Sequence, residues 1–281
     1  MCLAIFGSRR YSPVGVWLVR GNESGFIARP RRETVGGFAV YVACSTLCFA
    51  RLPLDVALRS IREMHFSKVD LAIHADGPHL TPTEVAADVV KVAQRLKSSN
   101  LTFAAIYLGI CDEPMDRFKA VCRLARLLAV PTVTVAPLEG DVETASKRLR
   151  PMAKVASAEG VVLCSETHSR GVAGDPALAV ALCDRVPGMG LTLDPSHYAG
   201  KNWDDVYPFV SHVRLRDSGK KLEEFQVRVG QGEIDYGRII SHLERQGYER
   251  ALTVDIRDVP DSPFPVDAES RKLKYLLESL V

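Results

Sequence analysis

Leu191-Thr-Leu-Asp-Pro-Ser-His-Tyr198 is the stretch that decides how this chain is read. A short apolar run ends abruptly in an acid, a proline turn and a histidine. Asp194 therefore takes the last position of a strand, and His197 returns over the same strand end. Upstream, Val161-Val-Leu-Cys-Ser-Glu-Thr-His168 has the same form, with Glu166 and His168 at its end. An acid at a strand's carboxyl end, used twice and each time followed by a helix, is how a (β/α)-barrel assembles an active site from distant residues.

Working outward, apolar runs alternate with amphipathic segments. Strands are expected at 40–44, 69–74, 102–108, 131–136, 161–166, 190–194, 210–215 and 251–256. Helices are expected at 54–64, 81–98, 114–128, 142–159, 175–185, 236–246 and 268–280, with a short helical piece near 203–206. Thr81-Pro-Thr-Glu84 carries a helix cap, and Gly160 stops the helix before it. The strands are continuous apolar runs, the pattern of a parallel sheet buried on both faces. An open doubly wound sheet usually has a glycine-rich turn after its first strand, and Ala43-Cys-Ser-Thr46 has none. The expected fold class is therefore α/β, a single eight-stranded parallel (β/α)8 TIM barrel over residues 38–281. Residues 1–37, rich in Gly, Arg and Ser without a period, read as an N-terminal extension outside the core and a candidate for disorder.

The chain has 281 residues, 47% apolar and 25% charged, with a formal net charge of +2. Length suits one barrel of about 250 residues. The flat charge balance, with acids and bases interleaved, argues against a nucleic-acid partner. No apolar run reaches the roughly 18 residues that span a bilayer, and the amino terminus lacks the long apolar region of a signal peptide. A cytoplasmic location is expected. Seven cysteines, Cys2, Cys44, Cys48, Cys111, Cys122, Cys164 and Cys183, form no CxxC pair and mostly sit in apolar runs. They read as small hydrophobes rather than a disulfide framework.

A barrel gathers its strand ends at one mouth. There the second strand delivers His74 and His79, the third Tyr107 and Cys111, and the fourth Glu139. The fifth delivers Glu166 and His168, and the sixth Asp194 and His197. The seventh delivers His212, Arg214 and Asp217, and the eighth Asp255 and Arg257. Glu166, Asp194 and Asp255 would repel one another unless a cation or shared proton compensates. A hard divalent ion with these three as ligands is one compensator, and it would also polarise a carbonyl for removal of an adjacent C–H proton. Glu166 and Asp255 would then trade that proton, with Glu166 the base. The plainer alternative is that Asp194 before Pro195 only caps a turn.

The pattern resembles the xylose isomerase-like barrel superfamily, which includes sugar phosphate isomerases and epimerases, inosose dehydratases, hydroxypyruvate isomerase and endonuclease IV-type enzymes. The matching pieces are Glu166-Thr-His168, Asp194-Pro-Ser-His197, His212-Val-Arg-Leu-Arg-Asp217 and Val229-Gly-Gln-Gly-Glu-Ile-Asp235. The likeness runs from about Phe38 to the carboxyl terminus. It implies metal ligands at Glu166, Asp194, position 214 and Asp255, with Mn, Mg, Co or Zn as the ion, and substrate contacts from His197. Two departures stand out: Arg214 replaces the usual His of the seventh strand, and Asp255 replaces the usual Glu of the eighth. A guanidinium cannot ligate a metal, so either the three acids still hold one while Arg214 binds substrate oxygens, or Arg214 stands in the metal's place. His168 and His212 join Arg214 and His197 as candidate substrate contacts.

The implied activity is isomerisation or epimerisation of a small sugar, sugar phosphate or keto-sugar by proton transfer next to a carbonyl. A lyase or dehydratase on the same barrel is the near variant, and a metal-free, non-catalytic sugar-binding barrel is the alternative. The endonuclease reading calls for histidines where this chain has Tyr107, Arg214 and Gln226. The sequence leaves the oligomeric state open; barrels of this kind often pair, which makes a homodimer one candidate assembly.

Overall fold

The computed structural model describes residues 40–109, 114–136 and 138–281. The expected extension over 1–37, with Cys2, and Cys111 in the third strand's loop lie outside the described residues. Eight strands run β1 Tyr41–Ser45, β2 Lys68–Ile73, β3 Thr102–Leu108, β4 Thr132–Val135, β5 Val162–Glu166, β6 Gly190–Leu193, β7 Val210–Leu215 and β8 Ala251–Val254. All pair in parallel in sequence order, and β8 closes on β1 with Tyr41 opposite Ala251 and Cys44 opposite Val254. The fold is thus the expected closed (β/α)8 barrel. Among the described residues no helix is long and apolar enough to cross a membrane.

The helices are α1 Leu54–Glu63, α2 Pro82–Ala87, α3 Val89–Lys97, α4 Met115–Leu127, α5 Val142–Ala158, α6 Pro176–Arg185, α7 Tyr236–Arg245 and α8 Val266–Glu278. One helix expected over 81–98 is two. Thr81 and Glu84 form a reciprocal capping box that starts α2. Asp88 then leaves the helical region at φ −157° and ψ 86°, and its carboxylate accepts from the Lys91 backbone N–H to start α3. An acid that can cap outcompetes continuation of the same apolar stripe. After β6 the chain makes two short 3-10 turns, Pro195–Tyr198 and Asp204–Phe209, in place of a long helix.

Alternation of side chains along each strand separates two layers. Outward residues such as Leu71, Val133, Leu163, Leu193, Val213 and Val254 join the helices in one apolar core. The inward residues differ from the bulky aliphatics usual in such barrels. Asp70, Thr134, Thr192, His212, Arg214 and Thr253 all point inside and are buried. They bond to one another: Thr134 and Thr192 hydroxyls are 2.6 Å apart, and His212 Nε2 lies 3.1 Å from Asp70 Oδ2 and 3.2 Å from Thr253 Oγ1. The expected two-sided burial is present, but only the outer side is apolar.

The loop after β7 is tied down by Asp217, whose side chain accepts from the backbone N–H groups of Ser218, Gly230 and Gly232 at 3.1, 2.6 and 3.1 Å. A Cβ at Gly232 would meet Asp217 Oδ1 and the Ser218 carbonyl within 2.4 Å, which explains the glycine there. Asp217→Ala leaves these donors without their partner and should cost about 3 kcal/mol. Gly232→Ala should loosen the same loop. Urea unfolding measures the loss, and an unchanged midpoint for Asp217→Ala would show that the loop is held elsewhere.

Candidate active site

Glu166 is the last residue of β5, while Asp194 and Asp255 directly follow the last residues of β6 and β8. The closed barrel brings all three to one rim, where they share arginine partners. Arg214 Nη1 is 3.5 Å from Glu166 Oε1, and its Nη2 is 2.9 Å from Asp255 Oδ1. Arg216 Nη2 is 2.8 Å from Asp194 Oδ2 and 2.5 Å from Asp255 Oδ2. Arg257 Nε is 3.0 Å from Asp255 Oδ2, with Nη2 3.9 Å from Glu166 Oε1. A fourth acid, Asp70, reaches this group from inside the barrel, its Oδ2 3.2 Å from Arg214 Nε.

Hydrogen bonds fix the rest. Asp194 Oδ1 accepts from the Ser196 backbone N–H and hydroxyl at 3.1 and 2.6 Å, so the turn-capping role expected of it is real and coexists with the ion pair. The Tyr107 hydroxyl donates to Glu166 Oε2 at 2.9 Å, and the Arg214 guanidinium carbon lies 4.1 Å from the centre of the Tyr107 ring. Ser45 accepts from Arg214 Nη2 at 3.0 Å. Arg216 Nε donates to the Asp255 carbonyl at 2.8 Å and Nη1 to Ser196 Oγ at 3.1 Å.

Burial by itself would raise the Asp255 carboxyl, yet Arg214, Arg257 and Arg216 together outweigh it and hold that group far below the ordinary carboxylate range. Asp194 is lowered in the same way, burial being overcome by Arg216 and His197. For Asp70, Arg214 and His212 overcome burial. The Arg214 guanidinium, penalised by burial, is raised by Asp255, Asp70 and Glu166. The imidazoles go the other way. Burial, then the neighbouring His197, lowers His168 to about 4. Burial, then Arg257 and Arg214, lowers His74 to about 4. Burial also lowers His197, with Asp194 opposing.

Above this ion cluster opens a cavity of about 590 Å³. Its lining includes Tyr107, His168, Ser169, His197, Arg216 and Arg257, the apolar Leu47, Ala50, Leu222, Phe225 and Val259, and the acids Glu223 and Asp258. The His168 and His197 rings are 3.9 Å apart. His168 Nδ1 accepts from the Arg170 backbone N–H at 3.2 Å, and His197 Nδ1 lies 3.3 Å from the Ser169 hydroxyl. The His197 Nε2 to Asp194 Oδ2 distance is 3.8 Å.

This geometry sorts the expected residues. His168 and His197 line the cavity, as expected of substrate contacts. Arg214 and His212 do not: both are buried inside the barrel beneath it, and their partners are Asp70, Asp255, Glu166 and Thr253. Glu166 and Asp255, expected to carry the proton, are completely buried behind Tyr107, Arg216 and Arg257. With both oxygens contacted by guanidinium nitrogens, Asp255 is a poor proton carrier. The His74 ring lies 5.2 Å from that of Tyr107 and tilted to it, His79 faces the Phe49 carbonyl, and Glu139 is exposed. Cys48 is buried and its thiol donates to the Val254 carbonyl, the packing role expected.

Arg216 and Asp70 were assigned no role from the sequence. The signal was present in both: Arg216 continues the 212, 214 face of an extended segment, and Asp70 is an acid inside an apolar strand.

The chain matches the sequence profile of the xylose isomerase-like TIM barrel family over residues 58–276. No curated protein matches. A xylose isomerase-like TIM barrel protein from Mycobacterium smegmatis, solved in complex with magnesium, has a TM-score of 0.65 and 17% identity, covering 86% of this chain and 98% of that one. The IolI protein with a bound zinc atom has a TM-score of 0.67 and 15% identity, covering 86% and 99%. D-allulose 3-epimerase from Methylomonas sp. has a TM-score of 0.65 and 14% identity, covering 86% and 98%. At such identities the likeness is one of fold.

The expected metal ligands converge, but the donor set does not fit a divalent ion. The Asp194 and Asp255 oxygens that would face it are in contact with guanidinium nitrogens. Among the described residues no three His, Cys, Asp or Glu side chains are arranged to hold a metal ion.

The titration directions set an acid response. Unfolded, His74 and His168 take up protons as pH falls below about 6.5, while folded they resist until about 4, so the unfolded state binds more protons in that window. Stability must therefore fall with pH there. The carboxylates Asp70, Asp194 and Asp255 add their loss only below the ordinary value of 3.8. Urea midpoints should drop between pH 7 and 4.5, and His168→Gln should flatten the drop. A midpoint that rises towards acid would contradict it.

Proposed function

Since the chain belongs to the xylose isomerase-like TIM barrel family, we propose that it is a sugar-modifying enzyme that isomerises or epimerises a small sugar derivative by proton transfer next to a carbonyl. The observation that carries this reading is one cavity wall on which two imidazoles, His168 and His197, stand beside the 23% exposed edge of Arg257. Depressed imidazole pKa values leave both rings uncharged at neutral pH. Because His168 Nδ1 is taken by the Arg170 backbone N–H, His197 is the ring that accepts a proton.

His197 takes the proton from the carbon beside the carbonyl. The C–H electron pair forms the carbon–carbon double bond of an enediolate, and the carbonyl pair moves onto oxygen next to Arg257. A guanidinium there stabilises the developing charge without needing a proton. Return of the proton from His197 to the neighbouring carbon, with the hydroxyl proton passing from one oxygen to the other, gives an isomer; return to the opposite face of the same carbon, after the enediolate has turned over in the cavity, gives an epimer. His168, its ring 3.9 Å from that of His197, is a neutral polar contact for the substrate oxygens. Glu166 and Asp255 act from behind the wall by holding the arginines. The apolar lining residues Leu47, Phe225 and Val259 suit the C–H face of a sugar. The epimerase among the structural neighbours supports a sugar ligand. Loss of a hydroxyl from the same enediolate is the lyase variant.

A non-catalytic sugar-binding barrel is the second reading, favoured by the pairing of the acids with arginines. The two separate in heavy water. Incubation with a panel of keto-sugars and aldoses, free and phosphorylated, should give deuterium wash-in at the carbon beside the carbonyl, unaffected by EDTA. His197→Gln should slow it by about 10²–10⁴. Ligand binding without any exchange would select the binding barrel, and undiminished exchange in His197→Gln would remove that residue's role.

A further inference from the structure

A divalent ion at this rim would have to touch carboxylate oxygens from several strand ends at once. In this chain a single nitrogen does so: Arg216 Nη2 lies 2.8 Å from Asp194 Oδ2 and 2.5 Å from Asp255 Oδ2, joining the ends of β6 and β8. The other nitrogens of that guanidinium are also engaged, Nε to the Asp255 carbonyl and Nη1 to Ser196 Oγ, so it has one orientation. Beneath it, Arg214 reaches Asp255 Oδ1, Glu166 and Asp70. Both arginines are among the largest completely buried side chains. A buried guanidinium persists only where carboxylates and acceptors surround it, and buried carboxylates only where cations do.

We propose that Arg216, supported by Arg214, is the resident cation of this barrel, and that Asp194, Asp255 and Glu166 are gathered without a divalent ion and form no site for one. A metal entering between Asp194 and Asp255 would meet a fixed positive charge and would have to expel a side chain whose donors all have partners. A guanidinium is also indifferent to chelators and keeps its charge at every working pH.

The test reads metal content and stability, so its outcome is independent of whether the proton-transfer reading holds. The full-length protein is dialysed against Mn²⁺ and, separately, Zn²⁺, then analysed for metal and melted with and without EDTA. No stoichiometric ion and an unchanged melting temperature are expected. One tightly held equivalent of either ion in the wild type overturns the proposal. Arg216→Ala should melt lower, bind Mn²⁺ at least about 100-fold more tightly than the wild type, and recover part of the lost melting temperature when it does, because a removed buried partner leaves uncompensated charge that a cation can meet. Arg216→Lys, which keeps a charge, should recover part of it with no metal. An Arg216→Ala protein that melts like the wild type, or that is destabilised yet ignores Mn²⁺, also overturns it. If Arg216→Ala does not fold, the wild-type dialysis and Arg216→Lys decide.

Discussion

Four acids buried at the mouth of a barrel cannot coexist without positive charge among them, and every other feature of this site follows from how that charge is supplied. Asp70, Glu166, Asp194 and Asp255 are met by Arg214, Arg216 and Arg257. Coulomb attraction in a water-poor interior is strong enough to reverse the effect of burial on Asp255, Asp194 and Asp70. The same interactions immobilise the arginines, and that immobility gives the cavity wall its shape. Ser196 and Tyr107 bond to the carboxylate oxygens Asp194 Oδ1 and Glu166 Oε2, and Ser45 accepts a further bond from Arg214 Nη2.

The barrel's inner layer is the structural counterpart of this arrangement. Threonines, His212 and Asp70 replace the aliphatic packing usual inside such a cylinder, so the polar network extends downward from the mouth. Stability rests instead on the outer interface, where one apolar core joins strands to helices. This division lets the interior carry charge while the hydrophobic effect acts elsewhere. It also leaves the cavity lined by imidazoles and a guanidinium edge, with the acids one layer behind.

Much of this was legible. The alternation of apolar runs and amphipathic segments marked all eight strands, and the Glu166, Asp194 and Asp255 positions marked the rim where they meet. The errors are local and have physical causes. Asp88 interrupts an amphipathic stripe because its side chain caps a new helix more favourably than it continues the old one. Arg214 and His212 share a face with the mouth residues in the linear pattern, but depth along the barrel axis is invisible there, and both lie beneath the cavity.

The amino-acid sequence alone determined the barrel, because hydrophobic periodicity and strand-end acids are properties of neighbours along the chain. It also determined that an arginine stands where its family resemblance implies a histidine. Only the tertiary structure decided what that arginine does. Whether Arg216 bridges Asp194 and Asp255, and whether Glu166 faces a ligand or hides behind Tyr107, depends on distances between strands far apart in sequence, which are set by closure of the barrel.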